Sequence, residues 1–279
     1  FVFVRHDSPH LLPASVDNGD DFFKILGVKL WYDGSPYTGS MYLASPYLDT
    51  ELTNKKLHIP INHSGKALIT RTELESSIIK HQSAGWQLAI HAQGDIAIQE
   101  VLESFDKVAN GQEADHRHRL EHCLLLQEES MELMADLNIH PSFHINHLYY
   151  YGKALQEDII GADRANQLLP IKKADDHSLI YSLHADQPMF PSEPLSLLHN
   201  AVNRRTKEGK VIGDHNTISV KQGLEALTIN AAWQIKMENK IGSIKKGKYA
   251  DLVILDRNPL TVPKSKICNI QVLQTLVNG

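Results

Sequence analysis

Residues 85–95 read GWQLAIHAQGD, and this stretch decides the fold. Its apolar run at residues 88–91 predicts a short buried strand that ends on His91. Asp95 comes directly after Gly94 and is a residue type that begins helices. The apolar face of the helix that it predicts consists of Ile98, Val101, Leu102 and Phe105. A strand that ends on a polar residue beside a helix is typical of α/β enzymes, although His91 alone is equally well an ordinary loop histidine.

The alternation of strand and helix continues on both sides of this stretch. Short apolar runs predict six strands, at residues 1–5, 25–31, 88–91, 118–122, 139–144 and 179–184. Further helices are predicted at residues 72–84, 131–137 and 194–205; Thr72 and Glu75 form a capping box at the start of the first, and Gly85 ends it. This order predicts βαβ units and a parallel sheet, with fewer strands than the eight of a (β/α)₈ barrel. We therefore expect residues 1–238 to form an incomplete barrel.

The last forty or so residues have a different character. The segments IGSIKKGKYADLVILD, at residues 241–256, and IQVLQTLVNG, at residues 270–279, read as two strands with turns and with no helix between them. We expect residues 239–279 to form a small β domain, with the boundary near residue 238.

Composition excludes several classes of protein. A formal net charge of −5 without a basic block argues against a nucleic-acid partner. No apolar run approaches the roughly 20 residues that span a bilayer, and two cysteines are too few for a disulfide framework. The chain begins FVFVRHDSP, without an initiator methionine or a secretory signal, so we expect the C-terminal part of a longer, cytoplasmic polypeptide. Its 16 histidines are many for 279 residues, and histidine is the commonest metal ligand.

Titratable side chains stand at the ends of four successive predicted strands. They are His91, His122, His144 or the nearby His147, and His184 together with Asp186. In a (β/α)₈ barrel the carboxyl ends of all strands open onto one face, so these side chains converge there. The pattern predicts a functional site at this face.

Six motifs occur in the order that a known family shows. They are GVKLWYDGSP, IHAQGD, RHRLEHC, SLHADQPMFPSEPL, ISVKQGLEALTINAAWQ and GSIKKGKYADLVILD. Together they resemble the metal-dependent amidohydrolase superfamily, and within it amidohydrolase family 3, the YtcJ-like group that includes N-substituted formamide deformylases. The resemblance covers essentially the whole chain and implies about strands 3–8 of a (β/α)₈ barrel with part of a small composite β-sandwich.

The resemblance also implies a set of site residues. Lys29 corresponds to a strand-4 lysine, often carbamylated, that bridges two divalent metals. His91 and His122 correspond to the histidines of strands 5 and 6 that bind the second metal. Asp186 corresponds to the strand-8 aspartate that touches the first metal and shuttles the proton, and His147 to a strand-7 histidine that faces the substrate. Neutral imidazoles suit Zn²⁺, which can lower the pKa of a bound water to near 7.

One departure from the family pattern limits the expected metal content. The superfamily places an H-x-H pair at strand 1, whereas the sole H-x-H pair of this chain is His116 and His118. On an extended strand His116 is roughly 20 Å from His122, so we take both as structural or solvated. Lys29 is alternatively an ion-paired lysine at the edge of the core. We expect at most one Zn²⁺ per chain.

Other positions are expected to be structural or stay open. Cys123 follows a predicted ligand and reads as an inert packing thiol. The tyrosines at residues 149–151 line a substrate pocket or pack a loop, and DGSP at residues 33–36 reads as a loop over the site without a clear role.

The resemblance implies hydrolysis of the C–N bond of a small amide or formamide. The rival interpretation is a catalytically inactive fragment, or a regulatory or binding module, that retains the amidohydrolase fold. Because an incomplete barrel leaves strand edges open, we expect a homo-oligomer or a partner segment that supplies the missing strands.

Overall fold

Six parallel strands form the main sheet of the computed structural model, which describes residues 1–16, 19–20, 22–108 and 115–279. The strands are β1 Val2–Arg5, β2 Ile25–Trp31, β3 Gln87–Ala92, β4 Arg119–His122, β5 His140–Phe143 and β6 Ser182–Leu183. Their spatial order follows the chain, and every neighbouring pair is parallel. Six consecutive strands of a (β/α)₈ barrel have this arrangement, with β1 and β6 at its two open edges in the described part of the chain. The predicted α/β class and the count of six strands are confirmed.

Helices follow each strand of the main sheet from β2 onward. They are α1 Arg71–Ser83, α2 Asp95–Val108, α3 Glu128–Asp136, α4 Asn146–Ala154, α5 Ala162–Asn166, α6 Ile171–Asp176, α7 Pro194–Asn203, α8 Val220–Leu227 and α9 Ile229–Gln234. The predicted apolar face of α2 is buried over its whole length. Together with the apolar side chains of β2, β3 and β4 it belongs to the continuous core. No helix in the described ranges is both long and apolar enough to cross a membrane.

Helix α1 begins at Arg71, one residue earlier than predicted. Thr70 is the N-cap: its hydroxyl accepts a hydrogen bond from the Glu73 backbone N–H, and the Glu73 carboxylate accepts one from the Thr70 N–H. The predicted box of Thr72 and Glu75 is therefore wrong. The sequence contains two overlapping T-x-x-E pairs, and the extended backbone that an N-cap requires is found at Thr70.

The segment that carries His116 and His118 is not part of a regular strand face. Arg117 has a left-handed backbone with φ 52°, and β4 starts only at Arg119. The two imidazoles consequently stack at 4.8 Å between ring centroids, and the Leu88 N–H donates to Nδ1 of His118 over 3.0 Å. The expectation of even spacing along a strand is wrong, while the structural role is supported by this hydrogen bond.

The C-terminal part forms a separate antiparallel pair, β7 Leu252–Leu255 and β8 Val272–Leu276. A 3₁₀ helix at Lys264–Asn269 lies between them, which corrects the expectation that no helix separates the two strands. Its Ile267 is fully buried, and the Asn203 side chain at the end of α7 donates to the Lys264 carbonyl over 3.0 Å. Anchoring against α7 explains why this segment is helical. The boundary near residue 238 remains a prediction.

Candidate metal centre

Three histidines meet at the carboxyl ends of the last three strands of the main sheet. His122 ends β4, His144 follows β5 and His184 follows β6. One ring nitrogen of each lies within 4.8 Å of those of the other two. We call these three residues the histidine cluster. They converge because parallel strands in barrel order end at one face.

The backbone at the end of β4 turns two neighbouring side chains toward the same side. Side chains of an extended strand alternate, so Glu121 and His122 would point to opposite faces of the sheet. His122 instead has φ 76° and Cys123 has φ 50°, which places two successive non-glycine residues in the left-handed region. Such residues cost on the order of 1–3 kcal/mol each and concentrate at functional sites. Both Glu121 and His122 thereby reach His184.

The Cys123 thiol takes no part in this convergence. Its side chain is fully buried, and Sγ donates to the Leu120 carbonyl over 3.3 Å. Burial raises the pKa of the Cys123 thiol well above its usual range, so the thiol stays protonated. The contacts are those expected of a packing thiol.

Several ring nitrogens of the histidine cluster are buried without a hydrogen-bond partner among the described residues. They include Nδ1 of His122, Nε2 of His144 and Nε2 of His184. Burial, followed by the neighbouring imidazoles, lowers the pKa of His122 and His144 far below the usual value, and burial also lowers that of His184. Neutral imidazoles with unused lone pairs are the form that binds divalent metals. Since an unsatisfied buried group costs about 1–3 kcal/mol, the cluster fits a divalent cation.

His91 borders the cluster on β3. Its ring centroid lies 4.3 Å from that of His122. Its Nε2 lies 3.1 Å from the Gly34 carbonyl oxygen and 3.6 Å from Oδ1 of Asp33. Burial and then Lys29 lower the pKa of His91 to about 4. A neutral ring that donates from Nε2 to Gly34 keeps its lone pair on Nδ1, and metal-binding histidines are commonly held in this way by a backbone carbonyl.

Lys29 on β2 interacts electrostatically with the charged side chains of Glu121, Arg119 and Asp186. Burial lowers the pKa of Lys29, while Glu121 and Asp186 act in the opposite direction. Burial raises the pKa of Glu121, but Arg119 and Lys29 outweigh it and bring the pKa down to about 2. Arg119 pairs with Glu121 over 2.7 Å. The charges of Glu121 and Asp186 favour the protonated amine of Lys29. The ion-paired and the carbamylated forms of Lys29 both remain predictions.

Asp186 lies two residues after His184 of the histidine cluster. It is exposed, has φ 54° and lines a cavity of about 890 Å³ together with Glu121 and His184. Its negative charge favours the protonated forms of both Lys29 and His184. The carboxylate is thus close to the predicted ligands and open to solvent, which suits a group that exchanges protons with a substrate.

The sequence did not assign a role to the loop after β2, and the structure shows what it does. Both carboxylate oxygens of the buried Asp33 accept backbone hydrogen bonds, from Gln93 over 3.0 Å and from Gly94 over 2.9 Å. These bonds tie the loop to the turn that follows His91. A polar DGSP motif directly after the strand of Lys29 was the signal available in the sequence.

His147, the predicted substrate-facing residue, is buried near the start of α4. Its ring centroid lies 4.1 Å from that of His144, and its Nδ1 lies 2.6 Å from the Tyr37 hydroxyl. Burial lowers the pKa of His147 to about 3. The tyrosines at residues 149–151 belong to α4; Tyr151 packs 4.3 Å from the Tyr37 ring, centroid to centroid. The structure thus places Tyr151 in packing contact with the loop after β2.

The structure brings together some of the predicted site residues and adds others. His91, His122 and His147 surround the same space, and Lys29 and Asp186 act electrostatically on it. His144 and His184 belong to the histidine cluster although neither was among the predicted ligands. Glu121 directly precedes His122, and no motif or spacing in the sequence indicated that it belongs to the site.

The comparisons with known proteins agree with one another. A family model described as "Amidohydrolase family" matches residues 5–279. N-substituted formamide deformylase of Arthrobacter pascens is 28% identical over 217 residues, which are 78% of this chain and 40% of that protein. YtcJ of Bacillus subtilis (strain 168), named as an amidohydrolase, is 25% identical over 289 residues, which cover 97% of this chain and 51% of that protein.

A solved structure has the same fold. An uncharacterized metal-dependent hydrolase from Pyrococcus horikoshii OT3 superposes with a TM-score of 0.78 at 25% identity, covering 95% of this chain and 51% of that chain. The chain therefore spans about half the length of the relatives that it matches.

Proposed function

Because the chain belongs to the amidohydrolase family, we propose that it carries part of the active site of a metal-dependent hydrolase that cleaves C–N bonds of amide or formamide type. The histidine cluster carries this proposal, since its buried, neutral and unpartnered nitrogens have the chemistry of a metal site. The substrate class rests on the similarity to N-substituted formamide deformylase.

The proposed metal is zinc, at most one ion per chain. The residues that would hold it are the histidine cluster together with His91, and Lys29 if its amine is carbamylated. A bound zinc ion would activate water for attack on a carbonyl carbon at neutral pH. Burial lowers the pKa of Lys29, which raises the fraction of neutral amine available for carbamylation. The negative charge of Glu121 favours the protonated amine and so opposes this modification, and we therefore infer a weakly held ion.

Asp186 is the proposed proton carrier. A carboxylate oxygen of Asp186 accepts a proton from the attacking water as the new C–O bond forms. The same oxygen returns the proton to the nitrogen as the C–N bond breaks, which leaves an acid and an amine. Its exposure, its place in the lining of the cavity and its position two residues after His184 support this role.

The experiment that tests the function is formate release from a set of N-substituted formamides by the zinc-loaded chain. Replacing the carboxylate in Asp186→Asn should lower turnover about 10²–10⁴-fold, as expected for loss of a general acid–base group. Asp214→Asn is the matched control, because the Asp214 side chain is 87% exposed in a 3₁₀ turn and does not line the cavity. Zinc binding without any turnover would favour the binding-module interpretation.

The proposal extends to partners and location. The substrate is a small molecule, and the open edges at β1 and β6 favour a homo-oligomer or a partner segment that supplies further strands. We propose a cytoplasmic location.

A further inference from the structure

The loop after β2 contacts a second histidine that lies outside the proposed metal ligands. Tyr37, in the 3₁₀ turn Pro36–Thr38, places its hydroxyl 2.6 Å from Nδ1 of His147. The two residues are 110 positions apart in sequence. Their rings tilt against one another at 5.6 Å between centroids, and the Tyr151 ring lies 4.3 Å from that of Tyr37.

The hydrogen-bond partners decide which atom carries the proton. The Tyr37 hydroxyl makes no other hydrogen bond among the described residues. If Nδ1–H of His147 were the donor, the phenolic hydrogen would have no acceptor among the described residues, which is unfavourable for a part-buried hydroxyl. The tyrosine O–H is therefore the donor and Nδ1 the acceptor. In a neutral imidazole the single N–H then lies on Nε2.

The other nitrogen of His147 faces the candidate site without a partner. Nε2 is buried and makes no hydrogen bond within the described ranges, and the His147 ring lies 4.1 Å from His144 and 6.5 Å from His122 between centroids. A nitrogen that carries a proton has no lone pair to offer a metal. It offers a hydrogen-bond donor to an acceptor that enters the site.

We propose that Tyr37 is a positioning residue that locks His147 in the Nε2–H form, so that His147 donates a hydrogen bond to the carbonyl oxygen of the substrate and does not bind the metal. This inference rests on the proposed function for the identity of the acceptor. The proton position itself depends only on the contact between Tyr37 and His147. Tyr37 acts through His147 and does not touch the substrate.

The experiment is nuclear magnetic resonance of the zinc-free, isotope-labelled chain at neutral pH. Long-range nitrogen–proton correlations distinguish the two neutral forms of a histidine, and His147→Gln identifies the signals of His147 by their loss. We expect the Nε2–H form in the wild type and a mixture of both forms in Tyr37→Phe. Tyr151→Phe is the control, since it keeps the ring that packs on Tyr37 and should leave the wild-type pattern unchanged. A proton on Nδ1 in the wild type, or an unchanged pattern in Tyr37→Phe, would overturn the inference.

The kinetic consequence is tested on the formamide assay. We expect Tyr37→Phe to lower kcat about tenfold or more with zinc content unchanged, because a mixture of forms weakens the donor to the reacting oxygen. If Tyr37→Phe changed the proton position of His147 but left kcat unchanged, the proposed hydrogen bond from His147 to the substrate would be wrong. Absence of turnover in the wild type would contradict the proposed function, while the resonance result would still decide the role of Tyr37.

Discussion

The imidazole rings of His91 and His122 lie edge to face, 4.3 Å apart between centroids, although the sheet register does not pair them. In the ladder of β3 and β4, His91 is opposite Glu121 and His122 is opposite Ala92. The rings meet because His122 has left-handed backbone, which redirects its side chain at the end of β4. His122 therefore occupies the centre of the candidate site, in contact with His91, His144 and His184.

The first prediction concerns zinc bound to the wild type and to His122→Ala. After dialysis against trace zinc, we expect at most one ion per wild-type chain and below about one-tenth of that amount in His122→Ala. His122 belongs both to the ligands implied by the family motifs and to the histidine cluster, so its loss should affect either site. His116→Ala should retain the wild-type content, since His116 stacks on His118 before β4 begins. Elemental analysis measures the ratio. Two tightly bound ions per wild-type chain would refute the expected single site.

The second prediction separates the ligands implied by the family from those implied by geometry. His91 is implied by the family motif, and His144 by the nitrogen positions of the histidine cluster. We expect His91→Ala and His144→Ala each to weaken zinc binding about tenfold or more in a competition titration with a chelating dye. Unchanged affinity in His91→Ala would remove His91 from the site, and unchanged affinity in His144→Ala would remove His144.

Local patterns were sufficient for the existence of the six strands because each contains a short apolar run. They were insufficient for the start of α1, where two overlapping T-x-x-E pairs satisfy the same rule and only the backbone at Thr70 decides. They also missed the 3₁₀ helix at Lys264–Asn269, whose formation depends on packing of Ile267 against α7. Helices that depend on tertiary contacts leave a weak signal in their own sequence.

In the candidate site, too, local patterns identified some residues and missed others. Strand ends identified His91 and His122, and His184 was recognised as a titratable strand end without a role. The contact of Tyr37 with His147 joins two turns that are far apart in sequence, so no spacing rule could indicate it. The left-handed backbone of His122 is likewise invisible, because histidine does not favour that conformation in the way that glycine does.

The third prediction concerns a buried cation outside the candidate site. Arg204 is fully buried and donates to the carbonyls of Leu168, Leu169 and Ile212 over 2.6, 3.1 and 3.0 Å. Arg204→Met leaves these acceptors without partners, so we expect the free energy of unfolding to fall by about 3 kcal/mol, roughly 1 kcal/mol for each. Urea denaturation measures it. In the control Arg205→Met, an exposed neighbour is replaced, and the change should stay within about 0.5 kcal/mol. Equal effects of the two variants would contradict the structural role of Arg204.

The fourth prediction is a pH dependence of stability at His118. Burial, followed by His116 and Lys236, lowers the pKa of His118 in the folded chain to about 3, below its ordinary value of 6.5. Between these values the unfolded chain binds a proton that the folded chain does not, so stability falls as the pH decreases from 6.5 toward 3. One such group contributes a slope of at most about 1.4 kcal/mol per pH unit. We expect the unfolding free energy of His118→Asn to show a shallower slope than that of the wild type. Identical slopes would exclude His118 as the source.

The fifth prediction is self-association through the small sheet. Strands β7 and β8 form an isolated antiparallel pair, and such a pair is marginally stable without further packing. Apolar side chains are exposed on both strands: Val253 is 55% and Leu273 63% accessible. Burying such side chains against another chain removes apolar surface from water, which favours association.

We expect the apparent mass from light scattering to rise with concentration, and the double variant Val253→Lys, Leu273→Lys to lower this rise. Ile61→Lys is the control, because Ile61 is similarly exposed at 68% but lies in a loop away from the sheet. A wild type that stays monomeric at all concentrations would show that neither the small sheet nor the open edges of β1 and β6 drive assembly.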